Sequence, residues 1–89
     1  MTDPPFSLHD HVTAAETSDG MVLLDRRTGR YWQLNTTAAL ILRALLDGTS
    51  REKAALFLTD RHPSAADRAA ADVAALVRAL RDAGLTAGE

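Results

Sequence analysis

The stretch from Met21 to Leu45 constrains the fold most. Two short runs with strand character, MVLLD and YWQLN, are separated by RRTGR, and the second runs without a break into an apolar helical pattern. Gly29 supplies the positive φ of a bulge-type hairpin turn, so the two runs read as an antiparallel pair. Asn35 or Thr36 is placed to cap the free amides of the following helix, where Ala38, Ile41, Leu42 and Leu45 recur at helical spacing and Asp47-Gly48 closes it. This predicts a helix over residues 36–47. Upstream, VTAAET has weaker strand character and ends at Ser18-Asp19-Gly20. Three strands in a meander are expected, with 21–25 at the centre.

Two further helices follow. In TSRE, Thr49 as N-cap and Glu52 form a capping box, and the helix continues to about Asp60. His62-Pro63-Ser64 breaks it, and His62 there faces the favourable end of the helix dipole. The third helix is predicted from Ser64 to Gly84, with Asp67 in its first turn. Ala69, Val73, Leu76, Val77 and Leu80 form one apolar stripe along it, while Arg78 and Asp82 point away. Beside the stripe, Asp72, Ala75 and Ala79 make a flank of mainly small side chains. Such a flank would leave a shallow channel next to an adjoining element, although alanine is also simply the strongest helix former. Residues 1–8, with Asp3, Pro4 and Pro5, read as a flexible N-terminal arm, residues 9–85 as the domain and 86–89 as a C-terminal tail.

Composition narrows the function classes. A chain of 89 residues forms one domain with a small core, and with only Phe6, Phe57, Tyr31 and Trp32 as aromatics that core must be mostly aliphatic. A formal net charge of −2 argues against broad attraction to a phosphate backbone. The lack of Cys excludes disulfide, thiol and zinc-thiolate chemistry. No stretch reaches the roughly 20 apolar residues of a membrane span, and the N-terminus has no basic segment followed by an apolar run, which points to a cytoplasmic protein.

Catalytic signals are sparse. His9, Asp10 and His11 are the densest potential metal ligands, but catalytic zinc needs about three protein ligands and the two histidines on one strand face have no evident third, so they read as a solvated polar segment. Ser50 and Ser64 are explained by helix starts, no serine sits in a nucleophile elbow, and every glycine is isolated. No acid, base and nucleophile converge, so no enzyme and no cofactor are expected. Helices after a hairpin also admit a winged-helix DNA-binding or regulatory domain. Against it, the third helix interleaves Arg68, Arg78 and Arg81 with Asp67, Asp72 and Asp82, and carries no Asn or Gln to read adenine. Arg26, Arg27 and Arg30 cluster at the hairpin tip, as a wing touching phosphates would, or as a solvated turn. A dimerisation module is a further alternative. The outer strands of a meander expose unpaired backbone groups to which a peptide strand can add.

The run from 20 to 48, GMVLLDRRTGRYWQLNTTAALILRALLDG, resembles the signature of the PqqD-like family of leader-peptide recognition elements, and within it the stand-alone leader-binding proteins of lasso peptide biosynthesis. The matching parts are MVLLD, the TG hairpin, YWQLN and the small-then-apolar helix spacing from Thr37 to Leu45. The resemblance covers about residues 8–85 and is most specific between Leu24 and Leu45. It implies an α+β, winged helix-turn-helix-like fold, with a three-stranded antiparallel sheet followed by three helices. It also implies that a precursor's leader adds antiparallel to the 31–35 strand, with apolar anchors between that strand and the third helix. Carried onto this chain, the pairing falls on Arg30, Tyr31, Trp32, Gln33 and Leu34, and the helix wall on Asp72, Val73, Ala75, Leu76, Ala79 and Leu80. Alternation puts Trp32 and Leu34 on one face and Tyr31 and Gln33 on the other, and leaves open which pair is core. The partners it implies are a leader peptidase, a transglutaminase-like cysteine protease, and an ATP-dependent lasso cyclase, with no nucleic acid and no membrane.

Overall fold

A computed structural model describes residues 6–87. The chain runs β1 (Ser7–Leu8), β2 (Val12–Thr17), β3 (Gly20–Asp25), β4 (Tyr31–Asn35), α1 (Thr36–Leu46), α2 (Arg51–Arg61), a 3₁₀ segment (Pro63–Arg68), α3 (Ala69–Asp82) and β5 (Thr86–Ala87). The fold is α+β, with a three-stranded antiparallel sheet in the order β2-β3-β4 followed by three helices, as expected. No described helix is long and apolar enough to cross a membrane.

The β3–β4 hairpin is held by a bulge. The Gly29 N–H donates to the Asp25 carbonyl, and the Asp25 N–H donates to the Arg30 carbonyl, both at 2.8 Å. Two residues therefore face one, with Gly29 at φ 79° in the left-handed region that glycine tolerates. This pins the register, Leu23 opposite Trp32 and Met21 opposite Leu34. β4 then passes directly into α1. The Asn35 side chain accepts the Ala38 N–H at 2.8 Å and satisfies one of the helix's orphan amides.

Helix boundaries depart from the sequence reading in two places. Thr49 does not cap α2 but belongs to the end of α1, where its N–H donates to the Ala44 carbonyl while the Gly48 N–H donates to Leu45, a Schellman-type end. The cap passes one residue on to Ser50, whose hydroxyl accepts from the Lys53 N–H at 3.1 Å. The helix predicted from Ser64 is interrupted. Residues up to Arg68 are 3₁₀, Arg68 leaves helical geometry at φ −126° and ψ 8°, and α3 starts only at Ala69 with no side-chain cap. Ala65 and Ala69 both enter the core, so packing decides this entry rather than helix propensity.

The core has two lobes joined by α1 and α3. Ile41, Leu45, Ala54, Leu58, Val73 and Val77 fill the lobe among the helices. Met21, Leu23, Leu42, Leu80 and Leu85 fill the lobe beneath the sheet, and half-buried Leu76 packs against both. The stripe expected on α3 is thus the buried stripe. A second sheet was not foreseen. Ser7 pairs with Ala87 and Leu8 with Thr86, while Phe6 packs against both lobes. Segments read as arm and tail therefore close the fold at residues 6–8 and 86–87. The rest of that arm (1–5, with Asp3, Pro4 and Pro5) and of that tail (88–89) lies outside the described residues.

Candidate functional site

β4 is an edge strand. Among the described residues β3 pairs one side of it and no strand pairs the other. The phase of the ladder shows which groups are left over. In an antiparallel pair, directly opposed residues alternate between bonded and non-bonded. Because the Asp25 N–H reaches the Arg30 carbonyl, the bonded pairs beyond it are Leu23–Trp32 and Met21–Leu34. The N–H and C=O groups of Tyr31 and Gln33 therefore point outward, along the open edge.

The side chains divide in the same rhythm. Trp32 and Leu34 are half-buried on the inner face and pack against the lobe that contains Leu80 and takes in Leu76. Tyr31 (68% exposed) and Gln33 lie on the outer face, with Leu24 and Val22 of β3 opposite them. The question left open by alternation is thus answered: the indole faces the helices and the phenol faces outward. Arg30 is exposed, and its guanidinium lies over the Trp32 ring at 5.6 Å from the centroid, close enough for cation–π attraction.

On α3 the named wall residues differ in what they present. Val73 and Leu80 are buried in the two lobes and support the wall from within. Leu76 is half-buried, and Ala75 and Ala79 are exposed. Asp72 is half-buried, and its carboxylate lies 3.7 Å from Arg68 Nε, one turn back. Strand and helix share one apolar cluster, and the small residues lie at its margin.

An open pocket of about 490 Å³ sits at the Asn35 end of β4, lined by Thr17, Asp19, Met21, Gln33, Leu34 and Asn35. It lies against the β2–β3 turn, not α3. Sequence reasoning did not single out Thr17, Asp19 or Met21, because only the register, with Met21 facing Leu34, brings that turn beside β4. Thr36 ties the same corner together, donating its hydroxyl proton to the Asp19 carbonyl at 3.0 Å. Arg43 and Glu16, at 3.0 Å, link α1 to β2.

Beneath the hairpin tip, the buried Asp25 accepts the Arg27 N–H at 2.9 Å and lies 3.9 Å from His11 Nε2. Burial pushes its pKa up, but bonds from Arg27 and from the hydroxyl and backbone of Thr28, with the nearby His11, hold it below the usual carboxylate value of 3.8. A group whose folded pKa is depressed stabilises the fold above its unfolded value and loses that contribution as pH falls through the folded one. Urea denaturation of wild type and Asp25→Asn should therefore differ most at neutral pH and converge below about pH 4. A constant gap across that range would remove Asp25 as the cause. His9 and His11 stack, with centroids 5.0 Å apart, and no group of three metal-ligating side chains occurs among the described residues.

A small α+β domain with an open strand edge above half-buried apolar side chains has the geometry that strand-adding peptide-recognition modules use. The comparisons give the family. The model for coenzyme PQQ synthesis protein D (PqqD) matches residues 20–85, and the chain belongs to the PqqD family. Among solved structures it is similar to "Lasso peptide synthetase B1 complexed with the leader peptide", at 46% identity and TM-score 0.86, over 94% of this chain and 99% of that one. It is also similar to "TbiB1 in Complex with the TbiA(beta) Leader Peptide", at 26% identity and TM-score 0.80, over 92% and 95% of the two chains. No curated protein matches the chain.

Proposed function

We propose that this protein is a non-catalytic adaptor that binds the leader of a ribosomally made, lasso-type precursor and presents it to a separate leader peptidase and an ATP-dependent cyclase. The observation that carries the reading is β4 itself. Its outward N–H and C=O groups at Tyr31 and Gln33 offer two rungs for a guest strand, while Trp32 and Leu34 offer an apolar floor shared with Leu76. Backbone bonds set the guest's register, and its alternate side chains enter beside the α3 flank of Asp72, Ala75 and Ala79. The similarity to two proteins held with leader peptides supports the same reading.

The test is a synthetic leader taken from a short precursor reading frame beside the gene, titrated by calorimetry and by the fluorescence of Trp32, the single tryptophan. Wild type should bind it. Leu34→Asp should weaken binding by about thirtyfold, the effect of losing roughly 2 kcal/mol of apolar burial. Leu34 also packs on the core, so Ala79→Glu serves as the companion variant, since Ala79 is exposed and its replacement disturbs no packing. Unchanged affinity in both folded variants would remove the cleft between β4 and α3.

A further inference from the structure

Among the described residues the arginines at the hairpin tip have no carboxylate partner. Arg26 donates from its guanidinium to the Asp10 carbonyl, Arg30 lies over Trp32, and Arg27 is engaged through its backbone N–H to Asp25. All three side chains are exposed, immediately ahead of the strand whose edge is open. At the other end of β4 the pocket contains Asp19. The positive charge is thus concentrated where β4 begins, while the nearest acidic side chain at its far end, Asp19, belongs to the β2–β3 turn.

Resting on the reading of β4 as the leader-binding edge, we infer that Arg27 and Arg30 select a carboxylate side chain on the guest, placed just C-terminal to the segment that pairs with β4. The direction follows from the pairing. Antiparallel addition, already used throughout this sheet, sets the guest's first paired residue opposite Asn35 and its last opposite Tyr31. The guest then leaves past the tip, where planar guanidinium groups match a carboxylate and Trp32 holds one of them in place. Reversed, the guest would carry its C-terminal side to the Asn35 end of β4, away from the arginines. Pairing therefore sets the direction of the guest, and the tip arginines set the charge it carries just beyond the paired segment.

The probe is a synthetic copy of the leader peptide named in the 46%-identical structure. Two Asp or two Asn are placed after its last apolar residue needed for binding, or before its first. By calorimetry at low salt, wild type should favour the Asp form over the Asn form about fivefold when the pair is C-terminal, the scale of two exposed ion pairs, and not when it is N-terminal. Arg27→Glu should abolish or reverse that preference. Arg30→Gln should reduce it, and because Arg30 also touches Trp32, Arg27 is the cleaner variant. Equal binding of Asp and Asn forms, a preference that follows the N-terminal placement, or one that survives Arg27→Glu overturns the inference while leaving the β4 reading intact. Failure of wild type to bind any form overturns both. Tight DNA-duplex binding lost in Arg27→Glu, with no preference among peptides, would assign the tip to phosphates and overturn the inference.

Discussion

Gln33→Pro is expected to leave the domain folded while weakening leader binding by about thirtyfold or more. The ladder phase makes the experiment selective. The Gln33 N–H points along the open edge, so proline removes a donor that the fold does not use, and its ring blocks the path of a neighbouring strand. Loss of one backbone bond and the accompanying steric conflict is worth roughly 2 kcal/mol to the guest. The cost to the fold should be about 1 kcal/mol, since edge strands accept proline. Trp32→Pro, by contrast, deletes a bond to Leu23 and should unfold the sheet. Hydrogen exchange supplies the matching observation. In the free protein the Tyr31 and Gln33 amides should exchange fast and the Trp32 and Leu34 amides slowly, and the leader should slow the first pair. A folded Gln33→Pro protein that binds its leader like wild type would show that the guest does not add to this edge.

Gly20→Ala is expected to destabilise the fold more than any other single-methyl addition in its turns. Gly20 has φ 155°, and a Cβ there would lie 2.0 Å from the Leu34 carbonyl oxygen and 2.9 Å from the Asn35 carbonyl carbon. Both atoms are backbone, so relief requires moving the end of β4 away from β3. The combined cost of glycine-only geometry and overpacking is about 3 kcal/mol, a large share of the roughly 4 to 13 kcal/mol available to a domain of this size. Thermal melting should fall by roughly 15 °C. Gly29→Ala is the control, because a Cβ at Gly29 meets nothing within 4 Å and only the positive φ is penalised. Equal losses in the two variants would show that the contact with β4 is not what requires glycine at position 20. Because Leu34 and Asn35 also line the pocket at that end, the variant should disturb the proposed binding edge along with stability.

Local signals were legible because each rests on neighbours in the chain. The bulge at Gly29, the Asn35 cap and the apolar stripe of α3 need only a few adjacent residues, and each has its expected structure. The Ser50 cap was displaced from Thr49 because two helix ends compete for the same short link, a competition visible only once the end of α1 is drawn. The β1–β5 pair could not be read at all. Each strand has two residues, too few for an alternating pattern, and they lie at opposite ends of the chain. The pocket beside Asn35 was missed for the same reason, since Asp19 and Met21 reach it through cross-strand register.

By itself the sequence determined the elements of the sheet and helices, and that Trp32 and Leu34 share one face while Tyr31 and Gln33 share the other, because these follow from turn chemistry and a period of two. Only the tertiary structure decided which face is inside and which backbone groups of β4 are left over. Those depend on cross-strand pairing and on where the helices settle: the bond from the Asp25 N–H to the Arg30 carbonyl sets the ladder phase that leaves Tyr31 and Gln33 pointing outward, and the lobe around Leu42, Leu80 and Leu85 draws in the indole rather than the phenol.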